Sequence, residues 1–581
     1  MNDADLVTRQ LTHSTLLDYQ VWAGESHGII AIDTETTGLD TGAPGFDIVL
    51  LSIGANDGTA WVVDGHDDAL VSSSLAALAG RQVWAHNAGY DAIAIEVVYG
   101  IRLSLLRDSL SLIASLDPDL IGQLSLKQLR PETQAALERL ATHWQASSGE
   151  PAPTGRSHDW LPRAVSRLPA NDPTLLEYAA TDAVACARLV SDARDESTQE
   201  ERAAALRDTT IEQLWRYPAM RGYPIDRGSL EEQIRTVACA RSHAEQRFGL
   251  DLSTNTNATR AWLAERGIVI TDESGSATLS HKSFGTAVVP TAAAADWAGF
   301  VELREALQVS NKLSELQKFS ARTGSVHPRI NANGAKTGRQ SITTPALQNL
   351  PGELRSLLVA KAGFTLVGCD LNHVEPSIAA ALSGDEAMIA AVQPGRDLYL
   401  DLAESIWNES VLKDDPRRKI AKTALLAQCY GQGDQGLAFR MGIPLDEARD
   451  ITSRLRSAWP DFGKWIQDVR AAAGNGQVMR THDGRRLPQY NRGAYQAVNY
   501  IIQGTAADVF KKHTIQVDQL LRREGLSDTL WLGIHDELIV QVPDGAEAVA
   551  LTALNDGMSS TLKGVPLNGT AVVLGRAWAH A

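Results

Sequence analysis

Leu530-Trp531-Leu532-Gly533-Ile534-His535-Asp536-Glu537-Leu538-Ile539-Val540-Gln541-Val542 is the stretch on which the reading of this chain turns. Two apolar, β-patterned runs flank His535-Asp536-Glu537, so the sequence predicts a tight hairpin with acidic groups at its tip. A carboxylate there is braced by two strands and still open to a metal ion. A partner lies upstream. Phe364-Thr365-Leu366-Val367-Gly368-Cys369-Asp370 reads as an apolar strand ending on Asp370. Two aspartates on the ends of neighbouring strands can hold two divalent cations ~3.5–4 Å apart, the geometry of phosphoryl transfer.

The composition is compatible with such an enzyme. The 581 residues are 44% hydrophobic, enough to build several cores, and the length corresponds to roughly four ordinary domains. No apolar run approaches the ~20 residues of a membrane span, so no membrane partner is expected. The start Met1-Asn2-Asp3-Ala4-Asp5 lacks the basic and apolar segments of a signal peptide. Cys186, Cys239, Cys369 and Cys429 are scattered without zinc-ligand spacing; buried free thiols in a reducing cytoplasm are the expectation. The net charge of −16 by itself opposes a nucleic-acid partner, but local distribution matters more than the sum. Arg417, Arg418, Lys419 and Lys422 crowd together. A looser basic stretch runs through Lys312, Lys318, Arg322, His327, Arg329, Lys336 and Arg339. Taken alone, either run reads as a solvated charged face.

Strand and helix patterns alternate from about residue 28 to about 189, interrupted by a polar stretch, 147–155, expected as a loop. A charged helical run over 192–207 marks the main boundary. Residues 211–319 are mostly helical in pattern. Loops, the Asp370 strand, a long helical region and the Asp536 hairpin follow. No repeat of 20–50 residues is present.

A second acidic constellation sits in the first segment. Ile29-Ile30-Ala31-Ile32-Asp33-Thr34-Glu35-Thr36-Thr37-Gly38 reads as a buried strand entering a turn, with Asp33 and Glu35 on one face. Two carboxylates facing together repel unless a cation sits between them. Asp91 follows in Asn87-Ala88-Gly89-Tyr90-Asp91, and Asp182 in Glu177-Tyr178-Ala179-Ala180-Thr181-Asp182. Tyr178 and Asp182 are i, i+4 on a helix and share a face. Each fragment alone is an ordinary surface pattern; the ordered set is specific. Over roughly 28–190 the chain resembles the DEDDy-type 3′→5′ exonucleases that proofread for DNA polymerases. The resemblance implies a ribonuclease-H-like domain in which Asp33, Glu35, Asp91 and Asp182 bind two metal ions and Tyr178 places the attacking water.

In the later half of the chain, Arg418, Lys422, Leu426 and Tyr430 recur every four residues, which draws a slowly curving stripe along one helix side. Cations at one end and an aromatic at the other suit a nucleotide, though such a stripe is commonly a plain amphipathic helix. Gly431-Gln432-Gly433 gives a sharp exit beside Tyr430. With Asp370, this stripe and the 535–537 tip in order, the chain from about residue 220 onward resembles family A DNA polymerases of the DNA polymerase I, Klenow-like type. Further matching stretches are Arg221-Gly222-Tyr223-Pro224-Ile225-Asp226, Thr337-Gly338-Arg339-Gln340-Ser341, Leu347-Gln348-Asn349-Leu350-Pro351 and Gln503-Gly504-Thr505-Ala506-Ala507-Asp508.

What the resemblance implies is detailed. The fold would be a multidomain α/β and α+β protein: an exonuclease over 1–205, then a right-hand polymerase. Its thumb would span 206–330, palm 331–384 and 495–581, and fingers 385–494. Asp370 and Asp536 would hold two Mg²⁺ ions (Mn²⁺ being an equally suitable oxygen-ligand cation), with Glu537 in support. Arg418 and Lys422 would grip the triphosphate, Lys422 doubling as proton donor to pyrophosphate. Leu426 and Tyr430 would line the nucleotide site, and Glu375 would exclude a ribose 2′-hydroxyl. Arg339 and Gln503 would probe the minor groove, Gln348, Asn349 and Asn499 would touch the strands, and His535 the primer terminus. Implied partners are primer–template DNA and deoxynucleoside triphosphates. A monomer in the host cytoplasm of a phage is expected, compact, without a 5′-nuclease domain, and open to accessory replication proteins.

The chain also departs from the family pattern. Leu426 replaces the usual aromatic, Leu371-Asn372-His373 the common Tyr-Ser-Gln, Pro376-Ser377 the usual Leu-Arg, and Tyr495 a frequent arginine. None is a metal-binding acid. Two rivals are a single-subunit RNA polymerase, opposed by Glu375 and the exonuclease acids, and an exonuclease whose C-terminal half only binds DNA, opposed by Asp370, Arg418, Lys422 and Asp536.

Overall fold

The computed structural model describes residues 6–25, 28–152, 159–252, 256–271, 276–280, 283–284, 287–489 and 493–579. The chain divides into two compact units. The first comprises residues 1–220 with 330–340 and 482–488; the second comprises 221–329, 341–481 and 489–581.

The first unit is built on a six-stranded mixed sheet. Its strands are β1 (Val7–Leu11), β2 (Ile30–Thr36), β3 (Ile48–Ala55), β4 (Thr59–Asp64), β5 (Val83–Ala85) and β6 (Leu106–Asp108). They are ordered β1-β4-β3-β2-β5-β6. β3 runs antiparallel to both β2 and β4, while β1–β4, β2–β5 and β5–β6 are parallel. Both faces are covered, so β3 is buried along its whole length. Alternation along β2 sends Ile30 and Ile32 into one core with Leu51, Ile53 and Trp61. It sends Ala31 to the opposite face, against Ala185, Cys186 and Leu189 of the helix Pro173–Asp195. Asp33 and Glu35 share the Ala31 face by the period of two.

The Pro173–Asp195 helix starts where it does for local reasons. Asp172 accepts hydrogen bonds from the Thr174 and Leu175 amides, and Pro173 takes the first helical position. Gly54 on β3 lets this helix close on the sheet: a Cβ there would lie 2.7 Å from the Val184 nitrogen.

Three details differ from the sequence expectations. The helix Pro131–Ser148 takes in Ser147 and Ser148, whose hydroxyls donate to the His143 and Trp144 carbonyls. The expected loop therefore begins at Gly149, and its 153–155 part lies outside the described residues. The boundary expected at 205 falls inside one continuous helix, Gln199–Arg221. That helix stays with the first unit because Ala205 and Ile211 are buried there, and Asp208 forms a buried ion pair with Arg485 at 2.6 and 2.7 Å. Arg485 also donates to Ser115 and Asn333, so segments 330–340 and 482–488 are fastened into the same unit. Finally, Cys239 is exposed while the other three cysteines are buried thiols; the helix Arg227–Phe248 that carries it buries only Leu230 and Ala244.

The second unit opens with helices Arg227–Phe248, Asn257–Glu265 and Ala294–Ser320. Trp262, Phe300 and Leu307 fill their shared core, with Trp262 stacked on Phe300 at 5.5 Å. An antiparallel sheet follows: β7 (Phe364–Leu371), β8 (Leu530–Ile534), β9 (Glu537–Pro543), β10 (Ser559–Leu562) and β11 (Val565–Gly575), in the order β8-β9-β7-β11-β10. Between β7 and β8 the chain is helical, from Val374–Ser383 through Pro416–Cys429 to Gln496–Arg523. Among the described residues no helix is long and apolar enough to cross a membrane.

Candidate active sites

The acids of the first unit meet on the β2 face. One carboxylate oxygen from each of Asp33, Glu35 and Asp182 lies within 4.8 Å of the others, the one such group of three among the described residues. Glu35, Asp182 and Tyr178 are 7%, 6% and 2% exposed. Asp91 sits in the first turn of the helix Ala88–Tyr99 and is drawn in differently. Its Oδ1 accepts the Thr34 amide at 3.0 Å and the Thr34 hydroxyl at 2.7 Å.

Crowding and burial set the electrostatics. Burial first, then Glu35, Asp182 and Asp91, push Asp33 well above the ordinary carboxylate range. Burial and Asp182 raise Glu35 to about 8. Burial raises Asp91 to about 7 against the opposing pull of the Thr34 hydrogen bonds and Arg216. Burial and then the neighbouring carboxylates push the Tyr178 phenol well up. Asp182 Oδ1 is buried with no hydrogen-bond partner. A lone pair so placed, within a set of oxygen donors that raise one another, fits a hard divalent cation.

Lys127, which the sequence reading passed over, completes the cluster. Its Nζ lies 3.2 Å from the Tyr178 hydroxyl and 3.5 Å from Asp182 Oδ2. Leu124-Ser125-Leu126-Lys127-Gln128-Leu129 has no motif character, so only the folded chain shows it.

In the second unit β7 is the central strand. Asp370 stands opposite Glu537 on β9 and opposite Thr570 on β11. Directly paired residues share a face. Gly368, Asp370, Asn372, Glu537, Thr570 and Val572 accordingly line one groove of about 320 Å³. The hairpin turn is two residues, His535 and Asp536, with His535 at φ +56°. The Leu371 amide donates to the Asp536 carbonyl at 3.2 Å, which brings the tip against the end of β7. Asp370, Asp536 and Glu537 are not drawn as tightly together as the first-unit acids. Glu537 is paired with Arg355 at 3.9 Å, and Arg355 packs over the Trp578 ring at 4.7 Å.

The basic stripe occupies the helix Pro416–Cys429, capped by Asp415. Arg417 is engaged by Glu409 and Asp415, each at 2.7 Å. Arg418 pairs with Asp397 at 2.8 Å. Burial opposes ionisation of Asp397, yet Arg418 and the Tyr399 and Leu400 amides hold it below the usual carboxylate range. Arg418 and Lys422 both lie over the Tyr399 ring, at 5.7 and 5.1 Å, and His373 meets its edge at 5.2 Å. Lys422 and Tyr430 are exposed, Leu426 half-buried. Tyr399 and Asp397 escaped sequence reading because neither recurs with the stripe. Gly431 makes the sharp exit: at φ +69° a side chain would place its Cβ 2.1 Å from the Tyr495 carbonyl oxygen.

Glu375 is buried in the first turn of the helix Val374–Ser383. Asn499 and Gln503 lie one turn apart on the helix Gln496–Arg523, both half-buried. Gln348 and Asn349 close a short 3₁₀ turn, Leu347–Asn349. Arg339 belongs to the 330–340 segment of the first unit.

Residues 294–580 match the family model described as DNA polymerase family A. This part of the chain is a family A DNA polymerase domain. Its relatives agree. A "DNA polymerase" of Mycobacterium phage D29 is 26% identical over 578 residues, covering 93% of this chain and 91% of that protein. "DNA polymerase I" of Chloroflexus aurantiacus is 36% identical over 265 residues, covering 42% of this chain. The chain spans only 28% of the length of that Chloroflexus protein. Among solved structures, the POL domain of Pol1 from M. smegmatis, in complex with DNA primer-template and dNTP, has a fold like this one. The TM-score is 0.70 at 22% identity, covering 98% of this chain and 99% of that one. The family A domain begins within the Ala294–Ser320 helix and contains the Asp370 strand, the basic stripe and the Asp536 hairpin.

Proposed function

We propose that this chain is a template-directed DNA polymerase that adds deoxynucleotides to a primer 3′ end and trims mispaired ends at a separate 3′→5′ exonuclease site. The observation that carries the first part is the contact of the Asp536 carbonyl with the Leu371 amide inside a family A domain, because it sets Asp536 against the end of the strand that carries Asp370. In this reading the β7–β11 sheet serves as palm, the helices between 385 and 494 as fingers, and the helices before 330 as thumb. The first unit, with its ribonuclease-H-like sheet, serves as exonuclease.

Asp370 and Asp536 would hold divalent cations at the synthetic site, and Asp33, Glu35, Asp91 and Asp182 at the trimming site, with Asp91 also tied to Thr34. Mg²⁺ suits these all-oxygen sets. Such ions, when bound, stabilise charge on the attacking and leaving oxygens of an in-line displacement.

The remaining work falls to the chain's own groups. Arg418 and Lys422, ordered over Tyr399, bind the triphosphate; Arg418 exchanges Asp397 for phosphate oxygens as the nucleotide enters. Lys422 gives a proton to the departing pyrophosphate. Glu375 occupies the space of a 2′-hydroxyl. Arg339, Gln348, Asn349, Asn499, Gln503 and His535 contact primer and template. At the trimming site Tyr178 orients the attacking water. Primer extension with and without nucleotides tests both activities. The proposal expects elongation with the four deoxynucleotides and shortening of a mismatched primer without them; failure of elongation contradicts it.

A further inference from the structure

Three buried or half-buried carboxylates within 4.8 Å of one another need a counter-charge. In this structure a lysine supplies part of it. Lys127 lies on the short helix Leu126–Leu129, its side chain 24% exposed. Leu126 is buried in the core beneath, and the preceding Leu124 carbonyl is held by His86 Nε2 at 2.7 Å. The backbone is thus anchored just ahead of the lysine. The ammonium reaches Tyr178 at 3.2 Å and Asp182 at 3.5 Å.

The chemistry of the phenol makes this contact consequential. A tyrosine hydroxyl has one proton to donate and two lone pairs that accept. An ammonium has donors only, so the Lys127 contact must be accepted by the phenol oxygen. One lone-pair direction remains for a water. We propose that Lys127 is a positioning residue of the trimming site, one that fixes the Tyr178 hydroxyl and stands as counter-charge to Asp182 until cations and the substrate phosphate arrive. This rests on the exonuclease reading above.

The two roles predict opposite movements in one variant. Lys127→Met removes the donor to Tyr178, so single-strand trimming turnover falls about 10–100-fold, the usual cost of losing a group that orients an active-site partner. It also removes a cation that competes for Asp182, so Mn²⁺ binds at least about threefold tighter. Binding is read by electron paramagnetic resonance of Mn²⁺ on the DNA-free full chain, with Asp536→Ala in the background to reduce binding at the other site. Lys127→Arg keeps the charge and recovers part of the turnover. Thermal unfolding of the Lys127→Met single variant reports folding of the first unit. Turnover loss together with weaker Mn²⁺ binding means a merely structural role and overturns the proposal. Wild-type turnover overturns it as well, provided that Asp33→Ala with Glu35→Ala abolishes trimming. Trimming that survives in that double variant instead removes the exonuclease reading itself.

Discussion

The Leu371 amide donates to the Asp536 carbonyl at 3.2 Å. This main-chain bond fastens a two-residue hairpin tip to the end of the strand that carries Asp370. A main-chain fastening survives side-chain replacement at the tip. Asp536→Ala is expected to keep the hairpin and to lower unfolding free energy by no more than about 1 kcal/mol, the usual size for a single substitution. A large drop in a denaturant melt would show that the carboxylate, not the backbone, holds the hairpin.

Arg485 and Asp208 are 2% and 0% exposed on their side chains and meet at 2.6 Å. Removing one member takes away the other's buried counter-charge, which costs ~3–5 kcal/mol. Arg485→Ala should destabilise the first unit by that order, and Asp208→Ala likewise, while the double variant should cost less than the sum. Additive losses in a double-mutant cycle would mean that the pair is not coupled.

The acidic cluster of the first unit should make stability depend on pH in the absence of divalent cations. Glu35 is raised to about 8 and Asp91 to about 7 in the folded chain. Between their ordinary values and these, the folded state binds more protons than the unfolded one. Stability from these groups is then present at low pH and lost as pH rises from about 5 through about 8. Thermal unfolding in chelator should show this fall. Glu35→Gln should flatten it, and Mn²⁺ should raise the midpoint at about pH 8 by binding only the folded carboxylates. The same slope in Glu35→Gln would place its origin elsewhere.

Glu375 is buried at the start of its helix. If it fills the space of a 2′-hydroxyl, Glu375→Ala should raise ribonucleotide incorporation, relative to deoxyribonucleotide, about 10-fold or more. Sugar discrimination at the wild-type level would locate the gate at another residue.

What was legible in the sequence follows from range. The hairpin is encoded by two local apolar runs and the strand ends fall where the pattern changes, at Ile534 and Glu537. Asp33 with Glu35, and Tyr178 with Asp182, were readable because each pair is fixed by the period of one element. Lys127, Asp397 and Arg485 were not. Each is a single charged residue whose partner lies far along the chain, as Asp208 lies from Arg485, and no local pattern announces such a meeting. Asp91 shows an intermediate case. Its identity was readable, but its attachment to the Thr34 amide and hydroxyl depends on how a helix start packs against a strand. Cys239 was misread because burial was inferred from residue type, whereas its helix exposes most of its surface.

Asp370 and Asp536 are proposed to serve one synthetic site, distinct from the acidic cluster of the first unit. The most direct measurement is a gel of labelled primer–template incubated with the four deoxynucleotides and Mg²⁺, comparing the wild-type chain with Asp370→Ala and Asp536→Ala. Elongation is expected to disappear in both variants while shortening of single strands persists. Elongation at the wild-type rate in either variant would contradict it.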